Sequence, residues 1–148
     1  DKDGCHDAAG ELVLAYIRYS VPSPPSDIRI LRWHAGQMKA FAGETDEALA
    51  LFSGTYEGPD SIEWNLYVDA TLAFLQQVRK GVEAAYATLA KFEVPPETQA
   101  ARQRFLDENP NIRMPDGYVT DPINLPVIKR LRDCFDLPYK EAYRGCSA

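Results

Sequence analysis

Residues 33–52, WHAGQMKAFAGETDEALALF, contain two helical patterns separated by a glycine. The apolar spacing before Gly43 continues a helical repeat that starts near residue 27, and the pattern after it places Ala48 and Phe52 on one face. Glycine is the residue that most readily adopts the left-handed conformation at a helix end. Thr45 is a candidate cap for the following helix. The stretch therefore predicts two antiparallel helices hinged at Gly43.

Helical spacing continues on both sides of this hairpin. Helix-breaking prolines and glycines divide the remaining chain, and no segment alternates in the manner of a strand. We expect a single all-α domain over residues 1–148, with residues 1–10 polar and loose. The predicted helices cover residues 11–20, 27–42, 45–56, 62–78, 82–92, 96–108, 124–135 and 138–143, with breaks at 79–81 and a loop at 109–120.

Composition and charge restrict the possible partners. The net charge of −6 and the small size of the basic cluster at Lys129, Arg130 and Arg132 argue against nucleic-acid binding. The longest apolar run, residues 12–17, is too short to span a bilayer. The chain begins at Asp1, which favours a mature exported protein, periplasmic or secreted, that has lost a signal peptide. The alternative is an arbitrary chain boundary.

An internal repeat is visible when the hairpin is compared with the residues that follow it. A shift of 34 residues aligns Gly36 with Ala70, and a shift of 36 residues aligns Ala48 with Ala84. Helices approach closely where side chains are short, so we expect these small residues at helix contacts. An Ala48→Glu substitution should then cost several kcal/mol. Lys39 is expected at the surface, where Lys39→Glu should be nearly neutral.

The repeat resembles the tetratricopeptide repeat, a helix-turn-helix unit of about 34 residues. The resemblance covers residues 27–92, with residues 1–26 and 93–148 as flanking segments. Thr88 stands where the first copy has Phe52, and the usual closing proline is absent from both copies, so a plain helical bundle is the alternative.

The resemblance implies a groove along the first helix of each unit, which would bind a protein or peptide. The flanking helices at 11–20 and 124–143 could instead fill that groove. The residues that the resemblance assigns to binding are Trp33, His34, Gln37, Phe41, Trp64, Tyr67 and Thr71.

Three further stretches, WHAGQMKAFAG, YVDATLAFL and the tail CFDLPYKEAYRGC, are similar to a group of uncharacterised exported bacterial proteins. This resemblance also favours export and implies no activity.

The three cysteines offer a disulfide if the protein is exported. Cys134 lies on the apolar face of its helix, and the turn at residues 136–138 would bring Cys146 back to it. Closing this short loop would stabilise the fold by about 3 kcal/mol. Pairing of Cys5 with either of the other two is possible because domain termini are often close. A buried Cys134 thiol with two unpaired thiols is the remaining alternative.

Catalytic and metal-binding patterns are weak. His34 with Asp69 or Tyr67 is the best candidate for a small helical hydrolase, and residues 1–4 imitate only half of a calcium loop. Cys5, His6 and Asp7 could bind a transition metal only adventitiously. We therefore expect no catalysis, no cofactor and no metal, and a protein-binding or scaffolding role. A small-molecule carrier with an apolar pocket is the alternative.

Overall fold

The computed structural model describes residues 5–19 and 25–146. These two segments contain helices and no strand, as expected for an all-α protein. The helices are α1 (Cys5–Tyr19), α2 (Pro25–Ala42), α3 (Thr45–Ser53), α4 (Ile62–Leu75), α5 (Arg79–Leu89), α6 (Pro96–Glu108), α7 (Leu125–Asp133) and α8 (Tyr139–Arg144). No helix within the described segments is long and apolar enough to cross a membrane.

The hairpin of α2 and α3 turns at Gly43, as predicted. Gly43 has a φ of 86°, and the amides of Gly43 and Glu44 donate to the carbonyls of Ala40 and Lys39. This pair of bonds satisfies the last carbonyls of α2. Thr45 is the first residue of α3 rather than its cap, which is Glu44.

The α2–α3 hairpin packs closely because Gly36 has no side chain. A Cβ atom at Gly36 would lie 2.9 Å from Cε1 of Phe52. The short residue at this position therefore determines how near the two helices can approach.

The second hairpin, α4–α5, turns three residues earlier than predicted. Gln77 adopts the left-handed conformation with a φ of 59°, and the amide of Val78 donates to the carbonyl of Ala73 at 2.8 Å. The predicted break at residues 79–81 is wrong, because α5 begins at Arg79. Gly81 instead faces α4, where an added Cβ would lie 2.6 Å from Cβ of Ala73.

The predicted equivalence of Ala48 and Ala84 is also wrong. Ala48 is completely buried, whereas Ala84 is exposed and its neighbour Ala85 lies in the core. The buried apolar residues of α3 and α5 correspond at a shift of 37 residues, which aligns Phe52 with the buried Leu89. Thr88 then falls on the exposed face, so its polarity does not disturb the packing.

The N-terminal segment is more ordered than predicted, since residues 5–10 belong to α1. The expectation that Lys39 lies at the surface is wrong. Its side chain is 3% exposed and its ammonium contacts the carboxylates of Asp7, Glu11 and Glu47. The stem of Lys39 passes over Gly10, where an added Cβ would lie 3.4 Å from its Cε. The contacts of Lys39 with Asp7 and Glu11 therefore link α2 to α1.

The C-terminal helices close the core. Ile128 and Leu131 of α7 are fully buried, and α7 packs against both α4 and α5. The predicted disulfide between Cys134 and Cys146 is present, with the two Cα atoms 5.6 Å apart. Cys5 is exposed and is not bridged.

Candidate functional site

The residues predicted to line a groove form the centre of an aromatic cluster. The ring of Trp33 lies 4.5 Å from Phe52, 4.6 Å from Tyr67 and 4.9 Å from Trp64, measured between ring centroids. Of the seven predicted binding residues, Trp33, Gln37, Tyr67 and Thr71 are buried, Phe41 and Trp64 are partly buried, and His34 is exposed.

Helix α8 covers this cluster from outside the two hairpins. The ring centroid of Tyr139 lies 5.7 Å from Phe41 and 5.8 Å from Phe74, and Tyr143 packs on Phe41 at 5.5 Å. The face expected to receive a peptide is therefore occupied by a flanking helix of the same chain. A binding role for the seven residues stays a prediction, and it would require α8 to move.

The candidates for catalysis have separate partners. Nδ1 of His34 is paired with Oε1 of Gln37 at 3.1 Å, whereas Asp69 accepts a hydrogen bond from the hydroxyl of Tyr56. Burial and that hydrogen bond raise the pKa of Tyr56 to about 12. Burial also raises the pKa of Tyr67 well above its ordinary value, so its hydroxyl stays protonated at neutral pH. The described residues thus show no base and nucleophile in contact around His34.

Metal ligands are not grouped in the described part of the chain, where no cluster of three or more His, Cys, Asp or Glu could hold an ion. The partial calcium pattern at residues 1–4 lies outside the described residues.

The outer face of α1 carries large apolar side chains that no other element within residues 5–19 and 25–146 covers. Leu12, Tyr16 and Tyr19, here called the α1 stripe, are 73%, 57% and 78% exposed. Helical spacing places them on one face, opposite the buried Gly10 and the partly buried Val13 and Ile17. Leu12, Tyr16 and Tyr19 have helical spacing within the helix predicted over residues 11–20, but spacing alone does not show which face of a helix meets water. Residues 12–17 are apolar all around the helix, and α2 covers only one side.

Negative charge lies on the flank of α1 between the α1 stripe and the face that contacts α2. Asp7 and Glu11 of α1 share the Lys39 ammonium with Glu47 of α3. Three carboxylates surround one cation, and each keeps about half of its side chain exposed. This group, the acidic edge, therefore retains an excess of negative charge on the flank of α1 between the α1 stripe and α2.

A separate cavity of about 290 Å³ lies between α6, the loop at residues 109–124 and the start of α7. Its walls are mainly apolar, and two arginines, Arg102 and Arg130, also line it. In the sequence, Arg130 stands out only as part of the small basic cluster with Lys129 and Arg132. No local pattern connects it with Arg102, which lies 28 positions earlier.

Comparison of the chain with protein-family models, curated proteins and solved structures gave no match. The α1 stripe, the acidic edge and the cavity at Arg102 and Arg130 are the surface features that could bind a partner or a ligand.

Proposed function

We propose that the protein is a non-catalytic binding module that contacts a partner protein through the α1 stripe. The exposure of Leu12, Tyr16 and Tyr19 on one helix face is the observation that carries this proposal. Burying a large apolar side chain contributes about 1.5–3 kcal/mol, so covering all three would make a substantial contribution to binding.

The size of the apolar patch strengthens this proposal. Within the described residues, α1 packs against α2 and leaves Leu12, Tyr16 and Tyr19 exposed. Single exposed apolar residues are common on protein surfaces, whereas several large ones on one helix face are typical of a surface that another protein covers.

The partner that fits this surface is an amphipathic helix with basic residues along one edge. Its apolar side would cover Leu12, Tyr16 and Tyr19, and its basic edge would face Asp7 and Glu11. A second copy of this chain fits less well, since the chain carries a net charge of −6 and would bring a second acidic edge.

Two synthetic amphipathic peptides with the same leucine stripe test this proposal, one with lysines and one with glutamates along the flanking edge. We expect the lysine peptide to bind in calorimetric titration and its affinity to fall as salt is added. Leu12→Glu should weaken binding by about tenfold or more, equivalent to about 1.4 kcal/mol.

Val78→Glu is the matched control, because Val78 is an exposed apolar residue in the turn between α4 and α5. Equal affinity for both peptides, or full binding by Leu12→Glu, would refute the proposed partner. Sedimentation provides a second test: a dimer that Leu12→Glu dissociates would mean that a second copy covers the stripe.

We also propose that the two hairpins are a pair of degenerate tetratricopeptide-like units. Support comes from the buried positions that recur at 34 residues in α2 and α4, where Trp33 corresponds to Tyr67 and Gln37 to Thr71. The shift of 37 residues between α3 and α5 departs from a regular repeat, and the flanking helix α8 takes the place of a bound peptide.

Export to an oxidising compartment is the third part of the proposal, supported by the Cys134–Cys146 disulfide. Alkylation of the unfolded protein without reduction should modify one thiol, that of Cys5. If the protein is reduced first, the number of alkylated thiols should rise to three, the number of cysteines in the chain. Three modified thiols without reduction would contradict both the disulfide and this compartment.

A further inference from the structure

Arg130 lines the cavity beside α7, and one nitrogen of its guanidinium lacks a hydrogen-bond partner in the described part of the chain. Nε of Arg130 is buried and has no hydrogen-bond partner, and no ion pair with Arg130 exists among residues 5–19 and 25–146. Buried polar atoms in proteins are almost always hydrogen-bonded. An unpaired buried nitrogen in an arginine that lines a cavity therefore indicates a guanidinium whose acceptors are incomplete.

Arg102, the other arginine of the cavity, has a structural role. Its Nη1 donates to the carbonyl oxygens of Tyr118 and Asp121, each at 2.9 Å, and its guanidinium lies 5.7 Å from the centre of the Tyr118 ring. These contacts hold the loop against α6 and shape the cavity. Arg130 is therefore the residue left to bind an anion.

The backbone at Gly145 supports the position of Arg130. An added Cβ at Gly145 would lie 3.1 Å from Cδ of Arg130, so the arginine stem packs against the chain just before Cys146. The disulfide at Cys146 fixes this part of the chain to α7. The cation is thus held in place before any ligand arrives, which lowers the entropic cost of binding.

We propose that this cavity binds a small amphipathic monocarboxylate, with its carboxylate on Arg130 and its apolar part against Met114, Pro122 and Val127. Arginine binds a carboxylate through two parallel hydrogen bonds. Apolar walls with one or two converging polar groups are typical of small-ligand sites.

The charge of the cavity selects a monoanion over a phosphate ester. Asp121 also lines the cavity, and its Oδ1 accepts a hydrogen bond from the Thr120 hydroxyl. A doubly charged group would be repelled by this carboxylate. Among the described residues, a single carboxylate matches the guanidinium of Arg130, which forms no ion pair there. This site is independent of the α1 stripe and adds a small-molecule ligand to the proposed module.

Titration of the ¹⁵N-labelled protein with sodium octanoate, below its micelle-forming concentration, tests the proposal. We expect saturable binding that shifts the Nε–H signal of Arg130 and the amides of Met114 and Val127. The neutral analogue 1-octanol should bind about tenfold more weakly or worse, because it cannot form the charge-assisted pair.

Arg130→Gln should reduce octanoate affinity by about tenfold or more, and Arg104→Gln, at an exposed arginine of α6, should leave it unchanged. The comparison of octanoate with octanol uses the wild-type protein, so it decides the question even if Arg130→Gln does not fold. Absence of binding, equal binding of the two ligands, or shifts confined to the α1 stripe would overturn the proposal.

Discussion

The Lys39→Glu variant is expected to lose about 3 kcal/mol of unfolding free energy, the lower end of the range for removing one partner of a buried ion pair, because the carboxylate partners are about half exposed. In the wild type the ammonium of Lys39 is buried and contacts three carboxylates. Hydrogen bonds to Asp7, Glu11 and Glu47 raise the pKa of Lys39 above its ordinary value. Glutamate at this position would place a fourth carboxylate among the three. We therefore expect α1 to detach from α2.

Urea denaturation followed by tryptophan fluorescence and by circular dichroism measures this loss. Lys80→Glu is the control, since it makes the same charge change at an exposed position of α5 and should leave the midpoint nearly unchanged. Lys39→Met keeps an apolar side chain over Gly10 but has no charge. Its urea midpoint should lie between those of Lys39→Glu and Lys80→Glu. A Lys39→Glu midpoint equal to that of Lys80→Glu would mean that Lys39 is a surface residue.

The pH dependence of this contribution follows from the direction of the pKa shift. A lysine whose folded-state pKa is raised stabilises the fold fully below its unfolded pKa, and the contribution is lost as the pH rises through the folded value. We therefore expect the difference between wild type and Lys39→Met to be constant near neutral pH. The difference should shrink as the pH rises above about 10.4, the ordinary pKa of lysine.

Ala48→Glu is expected to be the second severely destabilised variant. Ala48 has no exposed surface and belongs to the same apolar cluster as Phe52, four residues later on α3. A glutamate here must either bury its carboxylate without a partner or push α3 away from the core. The expected loss is several kcal/mol, of the order of the roughly 3–5 kcal/mol found for uncompensated buried charges.

Ala50→Glu provides a matched control for this variant, because Ala50 is exposed on the same helix. The two substitutions share their chemistry and differ in the face of α3 that they occupy. In thermal unfolding, the melting temperature of Ala50→Glu should be close to that of the wild type, and the melting temperature of Ala48→Glu should be far lower. Similar melting temperatures for the two variants would show that α3 presents a different face to the core.

Much of the fold could be predicted because its signals are local. Gly43 ends α2 and Ala48 and Phe52 mark the buried face of α3, and each can be recognised from residue type and spacing alone. The end of α4 was missed because Gln77, which is not a glycine, adopts the left-handed conformation there. The burial of Lys39 depends on the glycine and carboxylates of α1, more than 25 residues away.

The candidate sites depend still more on tertiary packing. Apolar spacing predicts the helices that carry the α1 stripe and the aromatic cluster around Trp33. It cannot determine which of these two groups faces water. That outcome depends on α8, whose Tyr139 covers Phe41 and Phe74. The cavity at Arg130 also forms only after α6, the loop and α7 come together.

The α1 stripe faces solvent, while the aromatic cluster around Trp33 lies in the core. Hydroxyl-radical footprinting of the dilute protein, read by mass spectrometry, measures both at once. Tyr16 and Tyr19 should be oxidised several times faster than Tyr67 and Tyr139, which are 3% and 4% exposed. Protection of Tyr16 and Tyr19 together with rapid oxidation of Tyr67 would contradict the claim.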